Sequence, residues 1–388
     1  MNKFPTGGVA ERPFTEVMLA FRANFAAGSE VGAAACVYHQ GKPVVDLWGG
    51  FADEASTDPW RADTLGVLAS PTKSLVTGAA LVLVDQGVLE LDTPIAHYWP
   101  EFGVNGKDKI TLRMVLSQRS GVVCLDHDPI TREYLRTHTP IAEAIAAAKP
   151  EWEPDTAHGY HATTFGHLIS ELIRRRTGLT VGAFFSREIG KPLGLDCYIG
   201  LSDPETAHLA HMIECKAEEL MTGADPGEIE ELRDPTSLTY RATMASMSQD
   251  PADPTVEEPS YGGLASAQSL ARYFASFIGE VDGFRLISPA VMRQIREVHS
   301  TGDCLVMLSP CTWGLGMQVA DSPVFPAEVG LGTAFGFSGA NGVFAFADPE
   351  NELAFAYVPN AGSEVMGSMD DRIRRLTEAV YRSVKKSS

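Results

Sequence analysis

The order of helical and strand-like patterns along the chain predicts an α+β fold in two lobes. An amphipathic helix over 14–25 precedes two β-rich segments, 32–38 and 43–48, which are joined by a Gly-containing turn of hairpin length. A helical block then extends to about residue 200, and strong strand patterns return only after about residue 300. This order predicts one antiparallel sheet that is built from both chain ends and flanked by helices, with a mostly helical lobe inserted between them.

The two lobes are expected to divide the chain where the pattern of elements changes. The sheet lobe would comprise 1–74 and 235–388, and the helical lobe would comprise 75–234. Within the helical lobe, the segment 214–234 is acidic and polar, which indicates a solvated insertion or lid. A site between two lobes is the usual place for a ligand, so we expect the active site there.

Individual elements follow the same two periodicities, with apolar residues at helical spacing or in short β-rich runs. Helical patterns cover 71–87, 111–118, 140–148, 163–177, 266–278, 288–295 and about 369–384. Strand patterns in the second half cover 305–308, 313–319, 341–347 and 353–358.

Composition and charge narrow the classes of function. The chain has 388 residues and a formal net charge of −19, which disfavours nucleic acid and anionic membranes as partners. The N-terminus lacks the apolar core of a signal peptide, and the longest apolar stretch, 78–84, is too short to span a bilayer. These features predict a cytoplasmic protein with a small-molecule partner and no membrane association, and they leave the oligomeric state open. No zinc-ligand spacing is present, so six reduced thiols and no metal or cofactor are expected at Cys36, Cys124, Cys197, Cys215, Cys304 and Cys311.

Ser70 and Lys73 form an S-x-x-K pair where the β-rich segment meets the first long helix. Ser is a preferred helix N-cap and Pro71 suits the first helical position, so Ser70 is expected to cap this helix. Lys73 lies one turn further along the same face. A lysine in a desolvated cleft can lose its proton and activate a serine hydroxyl as a nucleophile. Taken alone, the pair fits a helix cap followed by a surface lysine better than a catalytic site, because chance S-x-x-K matches are common in a chain of this length.

Several motifs in order resemble the serine β-lactamase-like superfamily, and most closely the family VIII carboxylesterases. The S-x-x-K pair at a helix start is one of them. The others are VDLWGGFAD (45–53), TLRMVLSQRSG (111–121), GYHA (159–162), PLGLD (192–196), WGLG (313–316) and FADPE (346–350). The resemblance spans nearly the whole chain and implies the β-lactamase/transpeptidase-like fold with Ser70 as nucleophile and Lys73 as its activating partner.

The resemblance also implies a catalytic role for Tyr160, which matches the family tyrosine that projects toward the nucleophile. A phenol beside an ammonium group can be partly deprotonated and can pass a proton between the serine and the leaving group. Whether Lys73 or Tyr160 is the general base stays open. Where class C β-lactamases have a Y-x-N motif, this chain has Ala162 in place of the Asn.

The third family motif matches the stretch 336–342, GFSGANG. Gly339 would let substrate approach the strand, and the backbone N–H groups of Ala340 and Ser70 would form the oxyanion hole. Phe337 stands where β-lactamases carry a lysine that helps to bind a carboxylate. The substrate is therefore expected to be neutral or apolar at that point, or to have its carboxylate bound elsewhere. Ser338 is expected to line the strand and contact substrate.

Other polar and aromatic residues are weaker candidates. Trp152, His161 and Asn341 are expected to contact substrate or support the pocket. GFSGA (336–340) resembles a G-x-S-x-G nucleophile elbow, but Ala340 breaks that motif. His208, His211 and Glu214 have helical spacing, yet a solvated face is a commoner explanation than a metal site. The same holds for the polar run 126–128.

The predicted function is a serine hydrolase that forms an acyl-enzyme on Ser70, acting as a carboxylesterase on a neutral small-molecule ester. An acyltransferase or an amide-cleaving or amide-forming enzyme would use the same residues. A binding protein that kept the fold without activity is the alternative from another class, and Phe337 and Ala162 are the features in its favour.

Overall fold

The computed structural model describes residues 4–125, 130–213, 226–248, 250, 252–307, 309–320, 322–327, 330–363 and 369–387. The strands are β1 (Thr6–Ala10), β2 (Gly32–His39), β3 (Lys42–Gly50), β4 (Gly66–Val67), β5 (Cys197–Tyr198), β6 (Leu264–Ala265), β7 (Ser300–Asp303), β8 (Pro310–Trp313), β9 (Gln318–Val319), β10 (Phe335–Ser338), β11 (Phe344–Asp348) and β12 (Leu353–Pro359). The α-helices are α1 (Thr15–Ala27), α2 (Thr72–Asp85), α3 (Ile95–Tyr98), α4 (Leu112–Leu116), α5 (Arg132–Thr137), α6 (Thr139–Ala147), α7 (Thr164–Thr177), α8 (Val181–Phe185), α9 (Lys191–Leu193), α10 (Pro226–Arg233), α11 (Leu238–Ala242), α12 (Ala267–Ile278), α13 (Pro289–Arg296) and α14 (Asp371–Ser387).

A single antiparallel sheet joins the two ends of the chain, as the sequence predicts. Its nine strands run in the order β1-β3-β2-β12-β11-β10-β9-β8-β7. The junction is the antiparallel pair β2 and β12, in which His39 lies opposite Leu353 and Ala33 lies opposite Pro359. A small second sheet has the order β4-β6-β5.

Both faces of the sheet are covered, and the alternation of side chains shows how. On β11, Phe344 and Phe346 point into the core shared with α1 and α14. The intervening Ala345 and Ala347 point into the larger core that contains α2 and α12. Alternate residues of a strand face opposite sides of a sheet, and the alanines give the second layer of helices a flat surface to pack on.

The sequence predictions of individual elements are confirmed in the first half of the chain and less accurate in the second. The segment predicted as a strand at 305–308 is a turn where it is described, and the strands on either side of it are β7 and β8. The predicted run 313–319 is interrupted by bends between β8 and β9. β1 was not predicted. It lacks a β-rich side-chain pattern and is held by backbone pairing with β3.

Two further expectations concern the helical part of the chain. Of the acidic segment 214–234, residues 214–225 lie outside the described part, and α10 occupies 226–233. The division into lobes at 75–234 stays a prediction. Within the described residues, no helix combines the length and hydrophobicity needed to cross a bilayer.

Candidate active site

Ser70 lies in a tight turn immediately before α2 and does not cap the helix as predicted. The helix begins at Thr72, Pro71 occupies the cap position, and no side chain bonds the first turn from there. The Ser70 carbonyl, and not its hydroxyl, engages the helix by accepting the Lys73 N–H at 2.9 Å. The preceding residue, Ala69, has a φ of +52°, a conformation that costs free energy for a residue with a side chain. This turn leaves the Ser70 hydroxyl free for other partners.

The Ser70 hydroxyl is hydrogen-bonded to Tyr160. The two oxygens lie 2.8 Å apart. The Nζ atom of Lys73 lies 4.9 Å from the centre of the Tyr160 ring. The structure thus brings together the three residues that the sequence singled out from segments about 90 positions apart.

Lys73 is fully buried, and its surroundings do not fully offset the free energy of removing its positive charge from water. Its Nζ donates to the carbonyl oxygen of Ser260 at 2.9 Å. Burial lowers the pKa of Lys73 to about 7, although the nearby Glu258 carboxylate opposes this change. A substantial fraction of Lys73 is therefore the neutral amine near pH 7, the form that can accept a proton.

The protonation of Tyr160 differs from the sequence-based expectation. Burial raises the pKa of Tyr160, and this outweighs the opposing effect of its hydrogen bond with Ser70. The sequence analysis pictured a partly ionised phenol beside an ammonium group. The structure instead favours a neutral phenol beside a neutral amine, because desolvation disfavours the charged form of both groups.

Gln118, in the motif at 111–121, holds the loop that carries Tyr160 through two hydrogen bonds. Gln118 accepts the Gly159 N–H through its backbone carbonyl at 3.0 Å and the His161 N–H through its side-chain oxygen at 2.9 Å. His161 is fully buried, and its Nδ1 donates to the Gly159 carbonyl at 2.8 Å. Its Nε2 must then be the acceptor, and it takes the proton of the Ser120 hydroxyl.

His161 and Trp152 are therefore placed behind the Tyr160 loop and do not border the cavity at Ser70. Burial lowers the pKa of His161 to about 4, so its ring is neutral at pH 7. Trp152 packs so tightly on the loop that a Cβ at Gly159 would lie 2.6 Å from its ring. Both residues support the Tyr160 loop, the second of the two roles expected for them.

Trp313 covers the opposite side of Tyr160, a contact that the sequence analysis did not single out. Its ring stacks on the phenol at 5.7 Å with an angle of 7° between the planes. It also packs against Phe337 at 5.6 Å. The WGLG match (313–316) was the available signal, but a motif match alone does not reveal which ring a tryptophan stacks on.

The predicted oxyanion hole has the required donors. Within the described ranges, neither the Ser70 N–H nor the Ala340 N–H has a hydrogen-bond acceptor in the protein. The turn after β10 approaches Ser70 so closely that a Cβ at Gly339 would lie 2.9 Å from the Leu68 carbonyl oxygen. Asn341 donates to the Val67 carbonyl at 2.7 Å and so ties this turn to the strand before the nucleophile.

Asn341 does not border the cavity, so the structure places it as a support for the turn and not against substrate. The remaining predicted substrate-binding residues, Phe337, Ser338 and Gly339, do line the cavity. The Ser338 hydroxyl bonds the side-chain oxygen of Gln318 at 3.1 Å.

A cavity of about 180 Å³ opens beside Ser70 and Tyr160. Within the described part of the chain, no lysine or arginine borders it, and its one acidic wall residue, Asp370, is paired with Arg372 at 2.7 Å. The surface is dominated by apolar groups from Met307, Pro310, Cys311, Trp313, Pro323, Val324, Phe337, Phe344, Met369 and Ile373. The arrangement suits an apolar acyl or alkyl group next to the nucleophile.

His208 and His211 do not border this cavity. His208 bonds the Thr64 hydroxyl at 2.6 Å and Asp58 at 2.9 Å, which accounts for both ring nitrogens. Glu214 and the run 126–128 lie outside the described residues. Among the residues that are described, no cluster of His, Cys, Asp and Glu is arranged to hold a metal ion.

Comparisons with known proteins agree with this geometry. A family model described as Beta-lactamase matches residues 21–379. The esterase/beta-lactamase LipL of Mycobacterium tuberculosis is 32% identical over 372 residues, which span 91% of this chain and 82% of that protein. The solved structure of a family VIII carboxylesterase is 32% identical, with a TM-score of 0.84, and covers 98% of this chain and 100% of its own. A penicillin-binding protein homologue from Caulobacter crescentus is 33% identical, with the same TM-score and coverage.

Proposed function

The chain belongs to the beta-lactamase family and is a serine hydrolase, and on that premise we propose that it is a carboxylesterase that forms an acyl-enzyme on Ser70. The observation that carries the proposal is the 2.8 Å contact between Ser70 Oγ and Tyr160 Oη, with the buried amine of Lys73 next to the same ring. A serine hydroxyl needs such a proton acceptor to become nucleophilic.

In the acylation step, Ser70 Oγ attacks the ester carbonyl and its proton passes to Tyr160. Lys73, in its amine form, receives the proton that Tyr160 gives up in turn. The N–H groups of Ser70 and Ala340 stabilise the negative charge that develops on the carbonyl oxygen. The tetrahedral intermediate then collapses, the C–O bond to the alcohol breaks, and Tyr160 protonates the departing oxygen.

Deacylation uses the same groups in reverse order. A water molecule attacks the acyl carbon while Tyr160 accepts its proton, and Ser70 leaves as the restored hydroxyl. The product is a carboxylic acid. No cofactor takes part in this sequence.

A neutral ester is the proposed substrate class because of the walls around Ser70. Phe337 is 1% exposed and packs on Trp313, so β10 presents an aromatic edge where a carboxylate-binding cation would be needed for a β-lactam. The carboxylesterase activity named for the similar solved structure supports an ester substrate. We expect nitrocefin to be hydrolysed slowly compared with p-nitrophenyl butyrate.

Covalent labelling tests the assignment of the nucleophile. The protein is treated with a fluorophosphonate and digested with trypsin, and the adduct is sought on peptide 62–73, in which Ser70 is the sole serine. One adduct on this peptide and hydrolysis of p-nitrophenyl butyrate are expected, and Ser70→Ala should lose both.

Ser338→Ala is the matched control, because Ser338 also lines the cavity and lies in the GFSGA stretch. This variant should keep the adduct. An adduct that survives Ser70→Ala, or that disappears in Ser338→Ala, would refute the assignment of Ser70.

A further inference from the structure

Two cysteines lie against the Tyr160 loop and take no part in the proposed hydrolysis. Cys304 directly follows β7, and Cys311 lies in the adjacent strand β8. Cys304 is 1% exposed, whereas Cys311 is half-buried and borders the cavity next to Ser70. Both thiols belong to one apolar cluster, against which Tyr160 packs.

The Cys304 sulfur accepts more hydrogen bonds than a buried thiol normally does. The Tyr160 N–H lies 3.2 Å from it and the Met307 N–H 3.4 Å from it. The Cys304 N–H in turn donates to the Ser309 carbonyl at 3.2 Å, which places Cys304 diagonally across the β7–β8 hairpin from Cys311. Two N–H donors that converge on one sulfur stabilise its thiolate form.

Two other core cysteines behave in the opposite way. Burial raises the pKa of both Cys36 and Cys197. The Cys311 hydrogen bond and the backbone N–H groups lower the pKa of Cys304 to about 7, while the pKa of Cys311 is raised by its bond to Cys304. The pair therefore holds one readily lost proton, and the two thiols lie in one apolar cluster on neighbouring strands.

Any movement of this pair would be felt at the catalytic residues. Besides the bond from the Tyr160 N–H to Cys304, the Leu305 N–H donates to the His158 carbonyl at 3.0 Å. Two residues after Cys311, Trp313 stacks on the Tyr160 ring. The hairpin of β7 and β8 thus contacts the Tyr160 loop through a backbone hydrogen bond and through the Trp313 ring.

We propose that Cys304 and Cys311 are a redox modification site, at which a peroxide forms a reversible disulfide that displaces Tyr160 and lowers hydrolytic activity. The consequence for activity rests on the proposed esterase function, whereas formation of the disulfide does not. The cavity beside Cys311 gives a small oxidant such as hydrogen peroxide a path to the pair.

The chemistry balances with hydrogen peroxide as the oxidant. The thiolate of the pair attacks one peroxide oxygen, the O–O bond breaks, and a sulfenic acid forms while hydroxide takes up a proton and leaves as water. The second sulfur then attacks the sulfenic sulfur, the S–S bond forms, and the hydroxyl group leaves with the remaining thiol proton as a second water. In total the two thiols lose two electrons and two protons, and one peroxide becomes two waters.

Joining the two sulfurs by a covalent bond weakens the acceptor of the Tyr160 N–H and pulls β8 toward Cys304. The Tyr160 hydroxyl must stay within hydrogen-bond distance of Ser70 for proton transfer. A misplacement of about 1 Å at such a group costs on the order of 100-fold in rate.

Peptide mapping tests the disulfide independently of activity. The protein is treated with hydrogen peroxide, alkylated and digested with trypsin, and peptide 297–372 is weighed, because it holds only these two cysteines. We expect this peptide to lose two hydrogens and to escape alkylation, and dithiothreitol should reverse both changes. Cys36 and Cys197, as internal controls, should remain alkylated.

Hydrolysis of p-nitrophenyl butyrate is measured on the same samples. We expect kcat/KM to fall at least about tenfold with oxidation and to recover with dithiothreitol, which does not repair oxidised methionine. Cys311→Ser should keep the full activity of its own untreated sample after treatment with peroxide.

The proposal is overturned if the disulfide does not form, if it forms without loss of activity, or if Cys311→Ser is inactivated to the same extent. An unoxidised protein that hydrolyses no ester would instead refute the proposed function and leave the peptide result to decide on the disulfide.

Discussion

Lys73 titrates in a range where most lysines are fully protonated, because its side chain is buried with one carbonyl oxygen as hydrogen-bond acceptor. The proposed mechanism needs the neutral amine. With a pKa of about 7, Lys73 becomes protonated as the pH falls below that value, so kcat/KM should decline on the acid side and level off above it. The profile is measured with p-nitrophenyl butyrate at a wavelength that is insensitive to ionisation of the product.

Lys73→Arg provides the comparison for this profile. Arginine keeps a positive charge at all accessible pH values, so it cannot accept the proton. We expect a loss of about 10³-fold in kcat/KM, the range found for removal of a general base. Retention of the wild-type rate and acid limb in Lys73→Arg would assign the titration to another group.

Glu258 is a second residue whose effect should appear in the same profile. It is buried, its Oε1 accepts the Ser260 N–H at 3.0 Å, and the Ser260 carbonyl in turn accepts Lys73. The Glu258 carboxylate raises the pKa of Lys73, so Glu258→Gln should move the acid limb to lower pH. A role in holding Ser260 alone would lower the rate without moving the limb.

Glu257→Gln is the matched control for Glu258→Gln. Glu257 is the adjacent carboxylate, but it bonds the Thr180 hydroxyl at 2.6 Å and the Gly182 N–H at 3.0 Å, away from Lys73. This variant should keep the wild-type pH profile. An equal shift in both variants would show that general charge, and not the position of Glu258, sets the pKa of Lys73.

At the residue scale, the sequence predicts the three residues that the structure brings together, but not their surroundings. Ser70, Lys73 and Tyr160 were predicted because motif spacing and family resemblance mark them directly. Trp313 and Glu258 were not predicted, since each contacts the site from a segment far along the chain. The neutral state of Tyr160 was not predicted either, because it depends on burial that only the folded chain produces.

The turn between β10 and β11 is the element that would complete the proposed oxyanion hole. Gly339→Ala would place its Cβ 2.6 Å from Asn341 Oδ1 and 2.9 Å from the Leu68 carbonyl oxygen. A backbone carbonyl beside the nucleophile cannot move without moving Ser70, so the turn must shift and carry the Ala340 N–H away. We expect kcat for p-nitrophenyl butyrate to fall by about 10²-fold, as when an oxyanion donor is lost.

Gly332→Ala controls for the effect of an added methyl group in the same part of the chain. A Cβ at Gly332 would meet only the Ala327 side chain, at an ordinary contact distance of 3.7 Å. This variant should keep wild-type kcat and thermal stability. An unchanged kcat in Gly339→Ala would mean that the Ala340 N–H is not part of the oxyanion hole.

At the element scale, the sequence prediction is accurate for elements that their own side-chain pattern determines, and less accurate for elements that depend on distant neighbours. The hairpin of β2 and β3 and the long helices were predicted because their side-chain periodicity is strong. The strands β7 to β9 are short and alternate with bends, so their limits depend on pairing with neighbours such as β10. The apolar run at 305–308 resembles a strand in sequence, but residues 305–307 form a turn from which Val306 packs into the cluster beside Tyr160.

At the scale of the whole molecule, the two chain ends are locked together by a buried charge cluster around Arg372. Its guanidinium lies 2.7 Å from Asp370 and 3.4 Å from Glu30, and it also bonds the Ser29 carbonyl at 3.1 Å. Glu30 and Ser29 follow α1, whereas Arg372 begins α14. The prediction that both chain ends build one sheet is confirmed, but this cluster has no periodic signature that sequence reading could detect.

The titration of Glu30 should make the stability of the fold depend on pH. Burial raises the pKa of Glu30 from 4.5 to about 8, and Arg372 only partly opposes this. Between these two pH values the folded state holds a proton that the unfolded state releases, so the stabilising contribution of Glu30 is lost as the pH rises through this window. Glu30→Gln removes the titration, and the free energy of unfolding of the wild type should fall relative to this variant between pH 5 and about pH 8. Urea unfolding at both pH values measures the difference.

Glu16→Gln is the control, because Glu16 joins α1 to α14 at an exposed site through Arg382 at 3.2 Å. Relative to Glu16→Gln, the free energy of unfolding of the wild type should not fall as the pH rises from 5 to about 8. A pH-independent difference for Glu30→Gln would show that Arg372 keeps Glu30 ionised, so that the chain ends are held by a true ion pair.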